Sequence, residues 1–378
     1  MRPLTRPPFC PERHCRNHRD PPSGWCTRHG TYETKIAGTV TRFRCTACGR
    51  TFSIRFFHID YYAKRRLDYR KLAQLQGSCC GVRQMARYFG CDHKTVENKT
   101  MRLCRQILAA HTHIQDHYGI SENLVADGLA SYWVNQYVPS EITVLAGSVS
   151  RYIISMDGVS VRRRGRMTEG QKERREELEK LYTPDPDAVG RSFREICDIV
   201  YDLVDARGEG TTTLDTDMHR AYRKAVRDHL GLEELSKKKR FRHRRTSSKR
   251  PRTKENPLAP VNTIDRQIRI DLAEHVRETV RFARNPNRCM ERIWVWLYRY
   301  NYHKRWFINQ PVSKTTTHAD AAGIDPRVQR EAFQGIYTRR RIFSLEPLRR
   351  GELRTWIRII ELPFRHHKPD YLPQYLLA

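Results

Sequence analysis

The chain has no long apolar run. Its uncharged hydrophobic stretches, such as "ITVLAG" at 142–147, fall far short of the roughly 18–20 residues that a bilayer-spanning helix needs. The N-terminus, "MRPLTRPPFCPERHC", lacks the apolar segment of a secretory signal, so neither export nor membrane anchoring is expected. Acidic residues are scarce beside basic ones: 42 Asp and Glu face 71 Lys and Arg, a formal net charge of +29 over 378 residues. There is no internal repeat and no collagen-like or wholly disordered composition. With 38% hydrophobic residues the chain can bury at least one sizeable core, and its length suits two to four units at roughly 100–200 residues each. The expectation is a soluble cytoplasmic protein, nucleoid-associated, whose excess charge meets nucleic acid; no amphipathic anchor accompanies the charge to favour a membrane.

Cysteine use agrees. There are 11, an odd number, and five of them (Cys10, Cys15, Cys26, Cys45, Cys48) crowd the first 48 residues. In a reduced compartment that pattern reads as metal binding before disulfides. Cys10-x4-Cys15 and Cys45-x2-Cys48 supply two thiolate pairs on knuckles, with Gly49 permitting the tight turn, which is the requirement of a structural tetrahedral Zn2+ ribbon. The wide first gap leaves His14 as a competing ligand. Cys26 falls outside both knuckles and reads as a strand residue.

Patterning divides the chain into an α+β multidomain protein: a small β module at 1–58, a helical unit at 59–116, an α/β unit at 117–310 and a C-terminal extension of unassigned role at 311–378. The third unit carries an exposed charged helix within 163–190. It also holds a basic stretch at 236–258, with eleven Lys/Arg between 237 and 254, predicted to be a mobile loop. A long helix is predicted over 263–284, followed by an aromatic one whose Trp294, Trp296, Leu297 and Tyr300 read as core.

Ala86, Gly90 and Val96 stand at the offsets of a helix-turn-helix: a small crossing residue, a turn residue tolerant of positive φ, and a β-branched core residue. Asp92 can cap the second helix, leaving His93, Lys94, Glu97 and Asn98 to face a DNA major groove. Asp127 and Asp217 each sit on or just after an apparent strand, where paired carboxylates can hold divalent metal for phosphoryl transfer. Asp215, two residues earlier, is an alternative to Asp217.

Taken together, "CPERHC", "RFRCTACGRTFS", "VADGLASY", "DTDMHRAY" and "HVRETVRFARNPNRCMER" resemble bacterial insertion-sequence transposases of the DDE class, over about residues 9–310. The resemblance implies a ribonuclease H-like catalytic core, Mg2+ or Mn2+ as catalytic cofactor, and DNA as partner at both element ends and target. It also implies a homo-oligomer that pairs two ends, and Mg-dependent strand cleavage followed by strand transfer. Asp127 and Asp217 correspond to the first two carboxylates. At the third, aligning Val276–Thr279 with the family's segment puts Asn262 where Glu is expected and Asp265 where Asn is expected. Either Asp265 completes the triad with help from Asn262, or the third ligand is lost and the chain is a DNA-binding regulator. Glu255 is a more distant substitute. Lys237, Lys238, Lys239 and Arg240, with Arg266 and Arg269 on the helix of Asp265, are the further DNA-contact candidates.

Overall fold

A computed structural model describes residues 5–247, 249–276, 281–309, 311, 316–361 and 363–364. At the N-terminus, β1 (Cys26–Thr34), β2 (Gly38–Cys45) and β3 (Thr51–Ser53) form an antiparallel sheet in that order, as the β module requires. Trp25, Phe43, Phe52 and Phe57 give it an aromatic core of its own, with Trp25 stacked on Phe52 at 5.7 Å. So small a sheet buries little apolar surface, the situation in which small domains commonly draw on a structural metal.

Three helices follow: α1 (Tyr69–Gln76), α2 (Val82–Tyr88) and α3 (His93–Gln115). The turn between α2 and α3 is built as the offsets predict. Gly90 adopts φ +57°, Ala86 and Val96 are buried at the crossing, and the Asp92 carboxylate accepts from the Lys94 backbone N–H at 2.8 Å.

The second sheet runs β6-β5-β4-β7-β8. Its strands β4 (Leu124–Tyr132), β5 (Pro139–Gly147) and β6 (Ile153–Ser160) form an antiparallel meander. The exposed helix α4 (Glu169–Glu179), which buries no residue, and α5 (Ala188–Arg207) then lead to β7 (Thr212–Asp217), parallel to β4. Helices α6 (Arg220–Arg227) and α7 (Leu230–Lys237) cross over to β8 (Phe241–Thr246), parallel to β7. After α8 (Ala259–Asp271) and α9 (Pro286–His303) come α10 (His318–Ala321), α11 (Pro326–Ala332) and α12 (Arg350–Ile357). The molecule is thus mixed α/β with two sheets. No described helix is long and apolar enough to cross a membrane.

Three expectations change. The basic loop is instead partly the edge strand β8: Asp215 pairs bidentately with Arg244, and Thr216 bonds His243 at 2.8 Å, so β7 supplies polar partners for a strand with few apolar residues. An edge position suits its charges. The predicted helix over 263–284 begins earlier and stops at Asp271, because the Asp271 carboxylate accepts from Trp296 Nε1 at 2.8 Å and its carbonyl accepts from Cys79 N–H at 2.8 Å, while Leu272 turns extended. Of the aligned segment Val276–Thr279, residues 277–279 lie outside the described residues.

The third change concerns the boundary at 116. One hydrophobic core joins residues from Ile59 to Ile360. The second half of α3 enters it through Leu103, Ile107, Leu108 and Ile114, and His111 bonds both Tyr302 Oη (2.8 Å) and the Ile154 carbonyl (2.9 Å). The C-terminal extension closes the same body. Arg354 of α12 pairs with Asp157 of β6 and Glu195 of α5, and Asn287 exchanges two hydrogen bonds with Ile360.

Candidate metal centres and nucleic-acid interface

Four cysteines meet as the spacing predicts. The sulfurs of Cys10, Cys15, Cys45 and Cys48 all lie within 4.8 Å of one another, with Cys10–Cys48 at 3.6 Å and Cys15–Cys45 at 3.7 Å. A tetrahedral Zn2+ with bonds of ~2.3 Å would set its sulfurs about 3.8 Å apart, so the cluster can hold such an ion without rearrangement. Backbone N–H groups of Glu12 and Asn17 point at Cys10 and Cys15, and Gly49 turns the second knuckle at φ +71°. Burial opposes ionisation of Cys45, yet backbone N–H groups of Cys48 and Ala47 and the Asn17 amide outweigh it and bring the thiol down to about 6. His14 instead accepts from Arg13, and Cys26 opens β1.

The carboxylates converge on the middle of the large sheet. The β4–β7 ladder pairs Leu124 with Leu214 and Val125 with Asp215, and the same register carried two residues further along both strands brings Asp217 toward Asp127. Asp127 Oδ1 accepts from the Gly128 N–H at 2.8 Å and Asp217 Oδ1 from the His219 N–H at 2.7 Å. Helix α8 lies across β4 and β5 and is tied down by Arg269, whose guanidinium reaches the Ala130 carbonyl at 3.2 Å. It brings Asp265 to Asp127. Asp265 Oδ1 is enclosed and has no hydrogen-bond partner. Asn262, one turn earlier on α8, is half-buried and makes no side-chain hydrogen bond with the described residues.

This crowding resists charge. Burial, then the neighbouring Asp217 and Glu141, push Asp127 up to about 7 against the Gly128 N–H and Arg252. Burial and Asp127 likewise push Asp265 up to about 7, with Arg269 and Arg252 opposing. Among the described residues, no three of these carboxylates come within 4.8 Å of one another, so they would have to draw together around a metal. Asp215 is taken out of contention by its pairing with Arg244, and Glu255 is exposed in the turn before α8.

The expected DNA-facing residues divide. Lys94 is exposed and His93 sits beside Asp92 at the mouth of a cavity of about 590 Å³ between α2, α3 and α9. The Glu97 carboxylate lies 3.6 Å from Arg288 of α9, while Asn98 stays exposed with its Oδ1 accepting from Arg288 at 3.5 Å. In the basic stretch, Lys237 and Lys238 pair with Glu233 and Glu234 one turn back, and Lys239 takes a left-handed turn at φ +59°. Arg240 is a structural residue, donating to the Val204 and Asp205 carbonyls at the end of α5. Arg266 is exposed and Arg269 half-buried.

Sequence reasoning passed over Glu141, Tyr222 and His219. Glu141, near the start of β5, accepts from Tyr222 Oη at 2.6 Å, and burial raises its pKa with Asp217 adding to the effect. An acid opening an otherwise apolar strand was the available signal. A further buried group, Glu274, His275 and Cys289, also falls within 4.8 Å, but Glu274 is already paired with Arg292 at 2.7 Å and His275 bonds Ser131 at 2.8 Å. No family model matches the chain, and no curated protein resembles it significantly.

Proposed function

We propose that the protein is a DDE-class transposase: it binds the ends of a mobile DNA element and cuts and rejoins DNA strands at a divalent-metal centre held by Asp127, Asp217 and Asp265. The observation that carries this reading is that β4, β7 and α8 direct Asp127, Asp217 and Asp265 toward one site, where burial and their mutual charge push Asp127 and Asp265 up to about 7. The enclosed, unpartnered Oδ1 of Asp265 fits a missing cation. The sheet order, a three-stranded antiparallel meander continued by two parallel strands, supports a ribonuclease H-like core.

Mg2+ or Mn2+ bound there would lower the pKa of attacking water and neutralise charge on the phosphoryl oxygens. The chain's own part is positional. Asp127, within β4, and Asp217, at the end of β7, are each held by a backbone N–H, and Asp265 closes the site from α8. Asn262 shares the face of Asp265, one turn away, where its amide is free to donate to a phosphate. Each P–O bond broken is matched by one formed, first to water and then to a 3′-hydroxyl, so no energy-rich cofactor is needed. The ribbon and the α2–α3 unit supply DNA recognition, and pairing two ends calls for a homo-oligomer. A DNA-binding regulator without catalysis is the second reading, favoured by the separation of the carboxylates.

The test incubates purified protein with labelled DNA spanning the sequences that flank its coding region, in Mg2+ or Mn2+. Metal-dependent nicks and joined products, both lost in Asp127→Asn and Asp265→Asn, are expected. DNA binding with no cleavage in either metal would establish the regulator instead.

A further inference from the structure

The cavity of about 590 Å³ beside the α2–α3 turn is lined by six arginines and three glutamates, and its acids are already matched. Glu274 pairs with Arg292 at 2.7 Å, Glu291 with Arg288 and Arg358 at 3.2 and 3.0 Å, and the Glu97 carboxylate lies 3.6 Å from Arg288. The other four arginines of the lining, Arg83, Arg87, Arg281 and Arg284, are exposed. Arg83, Arg87 and Arg284 make no hydrogen bond or ion pair with the described residues.

Local structure gathers these side chains around one space. Arg83 and Arg87 are four residues apart on α2 and so share one face of it. The facing wall is the segment 281–285, which is fastened to the far end of β4: the Val134 N–H donates to the Ala283 carbonyl at 2.9 Å, and Phe282 packs edge-on against Tyr132 at 6.1 Å. Asn285 then caps the 18-residue helix α9 by accepting from the Arg288 N–H at 3.2 Å, so the positive end of that helix borders the cavity as well. Guanidinium groups crowded around one space repel until an anion lies among them, and their planar forks match phosphate oxygens. His93 stands at the mouth, and the exposed Lys94 beside it carries the positive surface outward, as an extended polyanion requires and a small anion does not.

We propose that this cavity is a backbone clamp for DNA, in which Arg83 and Arg87 on one wall and Arg281 and Arg284 on the other take a phosphodiester between them. This rests on the DNA-binding part of the reading above and deepens it. A phosphate gripped there is held at once by the helical unit and by a segment fastened to the strand of Asp127, which sets the position of the duplex relative to the carboxylates.

Binding of the full-length protein to labelled duplex DNA from the sequences flanking its coding region, followed by fluorescence anisotropy at rising salt, tests it. The double variant Arg83→Ala/Arg87→Ala, and Arg284→Ala alone, should each lower the slope of log affinity against log salt by about 1, so that a fourfold rise in salt costs each about 3.5-fold less affinity than it costs wild type. Arg284→Lys should restore the slope, because counterion release follows charge. Melting temperatures should stay at the wild-type value, since these arginines are exposed and pair with no acid. Unchanged slopes in both alanine variants, with wild type binding DNA, would overturn the clamp and leave the DNA-binding reading standing. No binding by wild type would overturn that reading, and this inference with it. Calorimetric titration with inorganic phosphate alone should show no saturation; saturable binding that Arg284→Ala abolishes would make the cavity a small-anion site and overturn the clamp.

Discussion

Replacing Asp127 by Asn should stabilise the metal-free protein at pH 8 and leave it unchanged near pH 4. Asp127 is raised in the folded state from 3.8 to about 7, so the folded protein holds this proton more tightly than the unfolded chain does. Stability is therefore lost as pH rises from about 4 to about 7, and the full penalty is present above that window. A shift of about 3 units at 1.36 kcal/mol each sets the upper limit near 4 kcal/mol. Asp265 is raised in part by Asp127, so the two penalties share one repulsion and do not add. With ~2.1 cal/mol/K per residue over 378 residues, 4 kcal/mol corresponds to about 5 °C in melting temperature. Buried His111, His275 and His318, and half-buried His243, each pushed down to about 4 by loss of water, slope the opposite way below pH 6.5. The quantity to read is thus the difference between wild type and Asp127→Asn across pH 4 to 8. Thermal melts in chelator-free buffer suit it, since a chelator would also strip the cysteine site. Added Mg2+ should restore wild type by about 2.7 kcal/mol at a hundredfold excess over its Kd, and leave the variant unmoved. A difference that is constant with pH, or equal Mg2+ rescue in both proteins, would refute the reasoning.

The other predictions concern the flanking elements. Metal analysis should find one zinc per chain, absent in Cys45→Ser; because the ribbon's aromatic core is separate from the main one, the main melting transition should remain. Zinc retained in that variant would remove the ribbon assignment. Lys94→Ala should weaken DNA binding and reduce the slope of log affinity against log salt by about 1, whereas Glu97→Ala should change neither, since Glu97 faces Arg288. Leu108→Ala, deep in α3, should cost ~2–5 kcal/mol in the main transition, as the shared core requires; a loss confined to a separate minor transition would restore an independent helix-turn-helix domain.

What could be read in advance was local. The four cysteines, the Ala86–Gly90–Val96 turn and the Asp92 cap depend on spacing within a few residues, or on a hairpin of ordinary length. Trp294 and Trp296 were legible as core because α9 keeps one period throughout. The remainder depends on tertiary partners. The helical period continues past Asp271, and only the bonds from Trp296 and Cys79 end α8 there. Charge hid β8, whose Arg244 is acceptable in a strand because Asp215 lies opposite. Asp127 and Asp217 were recognisable as strand-borne acids, but their proximity is a matter of parallel register across 90 residues. The partner of Glu141 is a hydroxyl brought from α6, which its own strand does not reveal.

The central claim is that Asp127, Asp217 and Asp265 hold divalent metal. Crystals of the full-length protein soaked in Mn2+ and recorded near the manganese absorption edge would test it by anomalous scattering. A peak bonded to oxygens of Asp127 and Asp217, with Asp265 drawn toward it, is the expected result. Manganese bound elsewhere on the molecule with this site empty, at concentrations that support any DNA cleavage the protein performs, would contradict it.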